Sequence, residues 1–204
     1  MKDVLIIVDV QNDFVPGGAL QVTKGNEVVP IINKLQNCFK LVLATQDWHP
    51  KNHKSFASVH GKNPGEVMNF HGIKQILWPD HCIQNTFGAQ FVKELNTSKI
   101  TKVFKKGTSI EVDSYSGFFN NDHKSSTGLE KYLKDNDVSN VFITGLATDY
   151  CVKYTALDAV LIGFNTYVIE DATRGVNLKP SDVNEAMNEM KDSGVIVINS
   201  VEVI

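Results

Sequence analysis

The stretch from Asp3 to Asp9, "DVLIIVD", sets five consecutive apolar residues between two aspartates, with no polar residue at alternate positions. A strand of this kind is buried on both faces, which points to a parallel sheet covered by helices on either side. Comparable short β-like runs fall at about 3–9, 40–45, 101–105, 140–144, 165–170 and 195–198. Helical periodicity fills the intervals at about 26–37, 87–95, 125–135, 148–162 and 181–192. Gly163 after "DAVLI" reads as a helix-ending residue, and Ser181 after Pro180 as the cap of the last helix. The alternation predicts an α/β fold: an open, mostly parallel six-stranded sheet with helices on both faces, Rossmann-like in plan. With 204 residues and no break in composition, 1–204 is expected to be a single domain.

The charge balance narrows the partners. Lys plus Arg number 20 against 23 Asp plus Glu, a net charge of −3, so no basic face is expected for nucleic acid or an anionic membrane. "VLIIV" is too short for a signal peptide, and no stretch is long enough to span a bilayer. Three cysteines argue against a disulfide framework and for a reducing compartment, the cytoplasm.

Residues 46–86 break the alternation: about forty residues of weak periodicity holding five of the six histidines, both tryptophans and three prolines. A loop of that length in a compact domain is usually functional. Within it, Asp47-Trp48-His49 sends a carboxylate and an imidazole to the same side of an extended chain. His81 lies further on, in "WPDHC". Two histidines and a carboxylate suit Zn2+, with Fe2+ and Mn2+ as alternatives. His53 is either a fourth ligand or a donor behind the ligands, and Cys82 reads as core. His60, His71 and His123 read as ordinary surface residues.

Ligands of open parallel sheets bind beyond the carboxyl ends of the strands. Those ends carry Asp9, Thr45-Gln46-Asp47, Lys105-Lys106-Gly107 and the run from Gly145 to Cys151. Cys151 falls near the start of the helix expected from Thr148. Unpaired N–H groups and the helix dipole there are expected to lower the thiol pKa and to hold an oxyanion. A small buried hydrophobe is the ordinary alternative for any cysteine. Together, Cys151 as nucleophile, Asp9 as proton acceptor and Lys106 as the balancing cation make a set for covalent amide chemistry. Phe14, Trp48, Trp78 and Tyr115 read singly as core, although Phe14 and Trp78 are placed to sandwich a flat ring.

These residues sit in motifs that run nearly end to end: "LIIVDVQNDFVPGGAL", "TQDWHPKNHKSF", "LWPDHCIQNTFGA", "KKG" followed by "VDSYSGF", and "VFITGLATDYCVKYTALDA". In them the chain resembles the nicotinamidases (pyrazinamidases) of the isochorismatase-like cysteine hydrolase family. The resemblance implies Asp9 as general base, Lys106 as catalytic lysine and Cys151 as nucleophile, with Asp47, His49 and His81 as metal ligands. It implies Phe14, Trp78 and Tyr115 as the substrate-pocket lining. It also implies a cis peptide before Ala147 and an oxyanion hole from the Ala147 and Cys151 N–H groups. The implied reaction turns nicotinamide into nicotinic acid and ammonia through a Cys151 thioester, with the metal orienting the ring nitrogen, as a step of NAD salvage. Another small amide or carbamoyl substrate is the nearest alternative. A non-enzymatic module, nucleotide-binding or zinc-stabilised, is the remaining alternative; the sequence lacks the glycine-rich phosphate loop that nucleotide binding would use after the first strand, and either module would leave Cys151 at a helix start without a purpose. The resemblance leaves both a monomer and a small homo-oligomer open.

Overall fold

The computed structural model describes residues 2–70 and 72–204, so His71 lies outside the described residues. Among the described residues, eight strands run in chain order as β1 (Lys2–Val8), β2 (Val42–Asp47), β3 (Val67–Phe70), β4 (Ile73–Ile76), β5 (Lys102–Lys106), β6 (Val138–Leu146), β7 (Asn165–Arg174) and β8 (Ile196–Ile198). Six of them form one sheet in the order β5-β2-β1-β6-β7-β8, and every neighbouring pair in it is parallel. These are the six strands expected from the apolar runs.

From β1 the chain works outward through β2 to β5. It then returns to lay β6 beside β1 and works outward again through β7 and β8. The strand order therefore reverses between β1 and β6, and the crevice beyond their carboxyl ends is where such a fold binds ligands.

Alternate residues of β1 feed two cores. Val4, Ile6 and Val8 face one cluster, with Leu129 and Leu133 of α2 (Leu129–Asp135), Ala156 and Ala159 of α3 (Lys153–Leu161), and Met187 and Met190 of α4 (Asp182–Asp192). Leu5 and Ile7 face the other, with Val28, Val29, Ile32 and Leu35 of α1 (Val28–Leu35). Pro30 falls in the first turn of α1, where a missing N–H costs no helical bond. A β1 residue buried this way contributes about 1.5–3 kcal/mol, which is why the run tolerates no alternation.

Two expectations are corrected. Residues 87–95 have helical spacing but form turns. The Gly88 and Gln90 carbonyls accept the N–H groups of Asp13 and Asn12, and Val92 N–H donates to Val10 O. The segment is thus used as an extended partner for the loop after β1, and tertiary pairing overrides its helix propensity. Ser181 does stand at the N-cap of α4, although its side chain makes no capping hydrogen bond and the Asp182 carboxylate accepts the Lys179 N–H. Part of the 46–86 segment is regular after all: a 3-10 turn at Ala57–His60 and an antiparallel hairpin of β3 with β4. Gly163 does end α3, at φ +94°. Of the histidines read as surface, His123 is exposed and His60 half-buried against Phe70. Among the described residues, no helix is long and apolar enough to cross a membrane.

Candidate active site

Asp9 leaves β1 at φ +47°, a backbone region that non-glycine residues adopt mainly where surroundings enforce it. β6 comes close alongside because Gly145 lacks a side chain; a Cβ there would collide with the Val8 carbonyl. After the cis peptide between Leu146 and Ala147, Thr148–Val152 forms one π-helical turn that leads into α3. The expected helix at 148 thus begins as a π-turn, a feature that recurs at functional sites. Cys151 lies in that turn, on the other side of the switch point from Asp9.

β2 and β5 pair Asp47 directly with Lys106, so the two side chains stand together at the ends of adjacent strands. The Lys106 ammonium is wholly buried. It donates to Asp47 Oδ1 at 2.5 Å, to the Ser114 carbonyl at 2.9 Å and to Cys151 Sγ at 3.3 Å. It also lies 2.9 Å from Asp9 Oδ2. Thr45 Oγ1 donates to Asp9 Oδ1 at 2.6 Å. No donor is aligned on Asp9 Oδ2, whose contact with Lys106 is an ion pair off the hydrogen-bond direction, so this buried oxygen keeps a lone pair to receive a proton. Asp9, Asp47 and Cys151 each bring one polar atom within 4.8 Å of the others.

Protonation follows from burial and from the charges set against it. Burial pushes the Asp9 carboxyl up to about 6, against the pull of Lys106 and with the help of Asp47. Burial acts the same way on Asp47, but Lys106 and then His49 overcome it and hold that carboxyl below its ordinary range. Burial alone would lower the Lys106 pKa; the Asp47 and Asp9 carboxylates reverse this and raise it. The Cys151 thiol is pushed well up by burial, which Lys106 only partly offsets and the two carboxylates reinforce. The lowered thiol pKa expected from a helix N-terminus is therefore corrected: desolvation beside two carboxylates outweighs the dipole. The resting sulfur is a thiol next to a carboxylate able to take its proton.

The cation candidate is equally well defined. Asp47 Oδ2 lies 3.5 Å from His49 Nε2 and 3.9 Å from His81 Nε2, and Asp47, His49 and His81 present ligand atoms within 4.8 Å of one another. Each imidazole bonds a carbonyl through Nδ1: His49 to Gly107 O at 2.9 Å and His81 to Pro79 O at 2.7 Å. That places a proton on each Nδ1 and turns both Nε2 atoms toward Asp47, the usual support of a ligating histidine; burial would lower the His49 pKa, but the Asp47 carboxylate raises it. Gly107 permits it, since a Cβ there would overlap the His49 ring. Burial takes His81 down to about 4, so its lone pair is available at neutral pH. This donor set fits one divalent ion of the zinc type. His53 groups with His49 and Asp113 rather than with that set, and its Nε2 is buried without a partner.

Above these residues lies a pocket of ≈ 360 Å3, counted with its open mouth. Of the expected residues, Phe14, Trp78, Tyr115 and Ala147 line it together with Cys151 and the three metal candidates. Asp9 and Lys106 lie beneath, reaching the pocket through the sulfur. Trp78 Nε1 donates to the Tyr115 hydroxyl at 3.0 Å, which fixes the indole plane. Leu20, Asp113, Tyr150 and Val176 also line the pocket and were not anticipated. Asp113 stood in the "VDSYSGF" motif two residues before Tyr115, a spacing that puts both on one side of an extended chain. Leu20 and Val176 carry no sequence signal, because apolar loop residues look alike wherever they end up.

A family model described as Isochorismatase domain matches residues 3–202. The nicotinamidase of Escherichia coli is 46% identical over 194 residues, covering 93% of this chain and 91% of that protein. The solved structure of an Acinetobacter baumanii nicotinamidase/pyrazinamidase, 45% identical, superposes with a TM-score of 0.97 over 100% of this chain and 98% of its own. A Pyrococcus horikoshii pyrazinamidase in complex with zinc, 39% identical, gives 0.81 over 98% of this chain and 99% of its own.

Proposed function

The chain belongs to the isochorismatase domain family, and from that premise we propose that it hydrolyses nicotinamide to nicotinic acid and ammonia, and accepts pyrazinamide as well. Residues 1–204 act as one such domain, with 46–86 as its metal-binding excursion. The supporting observation is the convergence of Asp9, Lys106 and Cys151 with a two-histidine, one-carboxylate cluster at the floor of one aromatic pocket.

Nicotinamide enters between Phe14 and Trp78, with Tyr115 behind the indole. Asp47, His49 and His81 would hold one divalent ion, Zn2+ by the donor set and Fe2+ or Mn2+ as alternatives, which when bound supplies an electrophilic anchor for the ring nitrogen. Anchoring the ring presents the carboxamide carbon to Cys151 and lowers the entropic part of the barrier. The thiol proton passes to Asp9 Oδ2 as sulfur attacks, and Lys106, 3.3 Å from Sγ, balances the charge that moves. The oxyanion is received by the Ala147 and Cys151 N–H groups. When the carbon–nitrogen bond breaks, Asp9 returns the proton to the departing nitrogen, leaving a thioester and ammonia. Asp9 then takes a proton from water, whose oxygen attacks the same carbon. The carbon–sulfur bond breaks, and the thiol recovers its proton from Asp9. A cytoplasmic setting fits a chain that depends on one free thiol.

The pH dependence follows from Asp9. Only its ionised form accepts the thiol proton, so kcat/KM for nicotinamide should be level above neutrality. It should then fall about tenfold per pH unit below about 6, where the carboxyl titrates. Ammonia release followed from pH 4 to pH 8, roughly, reads this directly. A rate that holds down to the acid end would remove Asp9 from the role of base.

Stripping the ion with a chelator should raise KM for nicotinamide by roughly 10–100-fold while the far-UV spectrum stays native. His49→Ala should lower metal content and nicotinamide affinity together, as metal analysis and calorimetric titration would report. Ion-free protein that binds nicotinamide as tightly as loaded protein would dismiss the anchoring role.

A further inference from the structure

β1 ends at Val8, level with Gly145 of β6, whereas β2 continues to Asp47. The last β1–β2 register partners are Ile7 and Ala44, so the final residues of β2 have no strand on that side. An unpaired strand edge with nothing to satisfy it is costly when buried. At Asp47 the Gln11 side chain takes the place of the missing strand. Its Oε1 accepts the Asp47 N–H at 2.8 Å and its Nε2 donates to the Asp47 carbonyl at 2.8 Å, so the carboxamide pairs as a neighbouring peptide would. The same Nε2 also donates to Ala89 O at 2.9 Å, and Gln11 is wholly buried. On the opposite side Asp47 is held by the β5 ladder through Lys106.

We propose that Gln11 is a positioning residue for the metal centre: its carboxamide clamps the Asp47 backbone from the open side of β2 and thereby aims the carboxylate at His49 and His81. The inference rests on the reading of Asp47, His49 and His81 as metal ligands. Asp47 is asked to serve two masters, with Oδ1 on Lys106 and Oδ2 toward the imidazoles. A carboxylate shared in this way works only if its backbone cannot rotate. Gln11 does not line the pocket, and the positioning it supplies runs through the Asp47 backbone.

The test measures zinc affinity by competition with a chromophoric chelator, together with the visible spectrum of the Co2+-substituted protein, for wild type, Gln11→Met, Gln11→Glu and Gln46→Met. Met keeps the volume and removes every hydrogen bond. Glu keeps the shape and, once ionised at alkaline pH, has no hydrogen to donate, and it covers the case in which Gln11→Met fails to fold. Gln46 also donates to Ala89 O, at 2.8 Å, but not to Asp47, so Gln46→Met reports mere loosening of the Ala89 loop. Both Gln11 variants that fold should bind zinc at least about tenfold more weakly, with an altered Co2+ spectrum, while Gln46→Met stays near wild type. In kinetics the loss should fall on KM for nicotinamide more than on kcat. Wild-type zinc affinity and spectrum in either Gln11 variant, whatever its melting temperature, would overturn the proposal, as would an equal loss in Gln46→Met. A wild-type chain that binds no divalent ion would instead overturn the metal reading itself, and the positioning role with it.

Discussion

Cys151→Ala is expected to abolish ammonia release from nicotinamide, a fall of at least about 10⁴-fold, while melting temperature and metal content change little. The size follows from the mechanism: without sulfur no thioester forms, and Asp9 has only water to activate. The small structural effect follows from the site. Deleting one buried sulfur removes a weak contact with Lys106 at 3.3 Å, but leaves the Lys106 links to Asp47, Asp9 and Ser114 in place. The loss in stability should stay at about 1 kcal/mol. Turnover persisting in the variant at a tenth of the wild-type rate would end the covalent route and leave a metal-bound hydrolysis to be considered. Trapping of radiolabelled acyl group on wild-type protein after acid quench, and none on Cys151→Ala, would locate the intermediate.

Lys106→Met should be damaging in two separable ways. Among the described residues the Lys106 ammonium is the one lysine or arginine cation hydrogen-bonded or ion-paired to both Asp9 and Asp47, and all three groups are buried. Taking it away leaves two carboxylates uncompensated in a low-dielectric site, a penalty of about 3–5 kcal/mol. For a chain of this size that lowers the melting temperature by about 10 °C. The second effect is chemical. Lys106 is what restrains the Asp9 carboxyl against the pull of burial, so in its absence the pKa rises beyond about 6 and Asp9 is protonated at neutral pH. The base is then lost even where the protein remains folded, and kcat should fall by about 10³-fold or more. Activity recovering as pH is raised would trace the loss to Asp9. A variant as stable and as active as wild type at neutral pH would show that the buried ammonium plays neither part.

Much of the site was legible because chemistry-bearing residues stood at the ends of apolar runs. Asp9 closes "VLIIV", Lys106 closes β5, and Cys151 follows β6 within a few residues. A parallel sheet collects all its carboxyl ends on one edge, so recognising strands was enough to bring distant residues together. Asp47 and His49 were found by the two-residue period of an extended chain. The hairpin of β3 and β4 was missed, since four-residue strands are too short for a periodic signal. The apparent helix at 87–95 failed for the opposite reason: its spacing was helical, but its backbone groups were taken by residues 10–13. The Cys151 pKa is not legible in the sequence because a helix dipole follows from local pattern, whereas burial beside Lys106, Asp9 and Asp47 follows only from the fold.

The order of strands and loops, the residue types at the strand ends and the metal-type donor set were properties of the sequence alone, since each depends on local pattern or on residue identity. Which Asp9 oxygen is left free, the sharing of Asp47 between an ammonium and two imidazoles, and the Gln11 amide standing in for a missing strand arose only on folding. Those features depend on atoms separated by tens of residues in the chain, brought within hydrogen-bond reach by β1 ending before β2. Hydrogen bonding and desolvation are short-ranged, so tertiary contact, and not pattern, decides them.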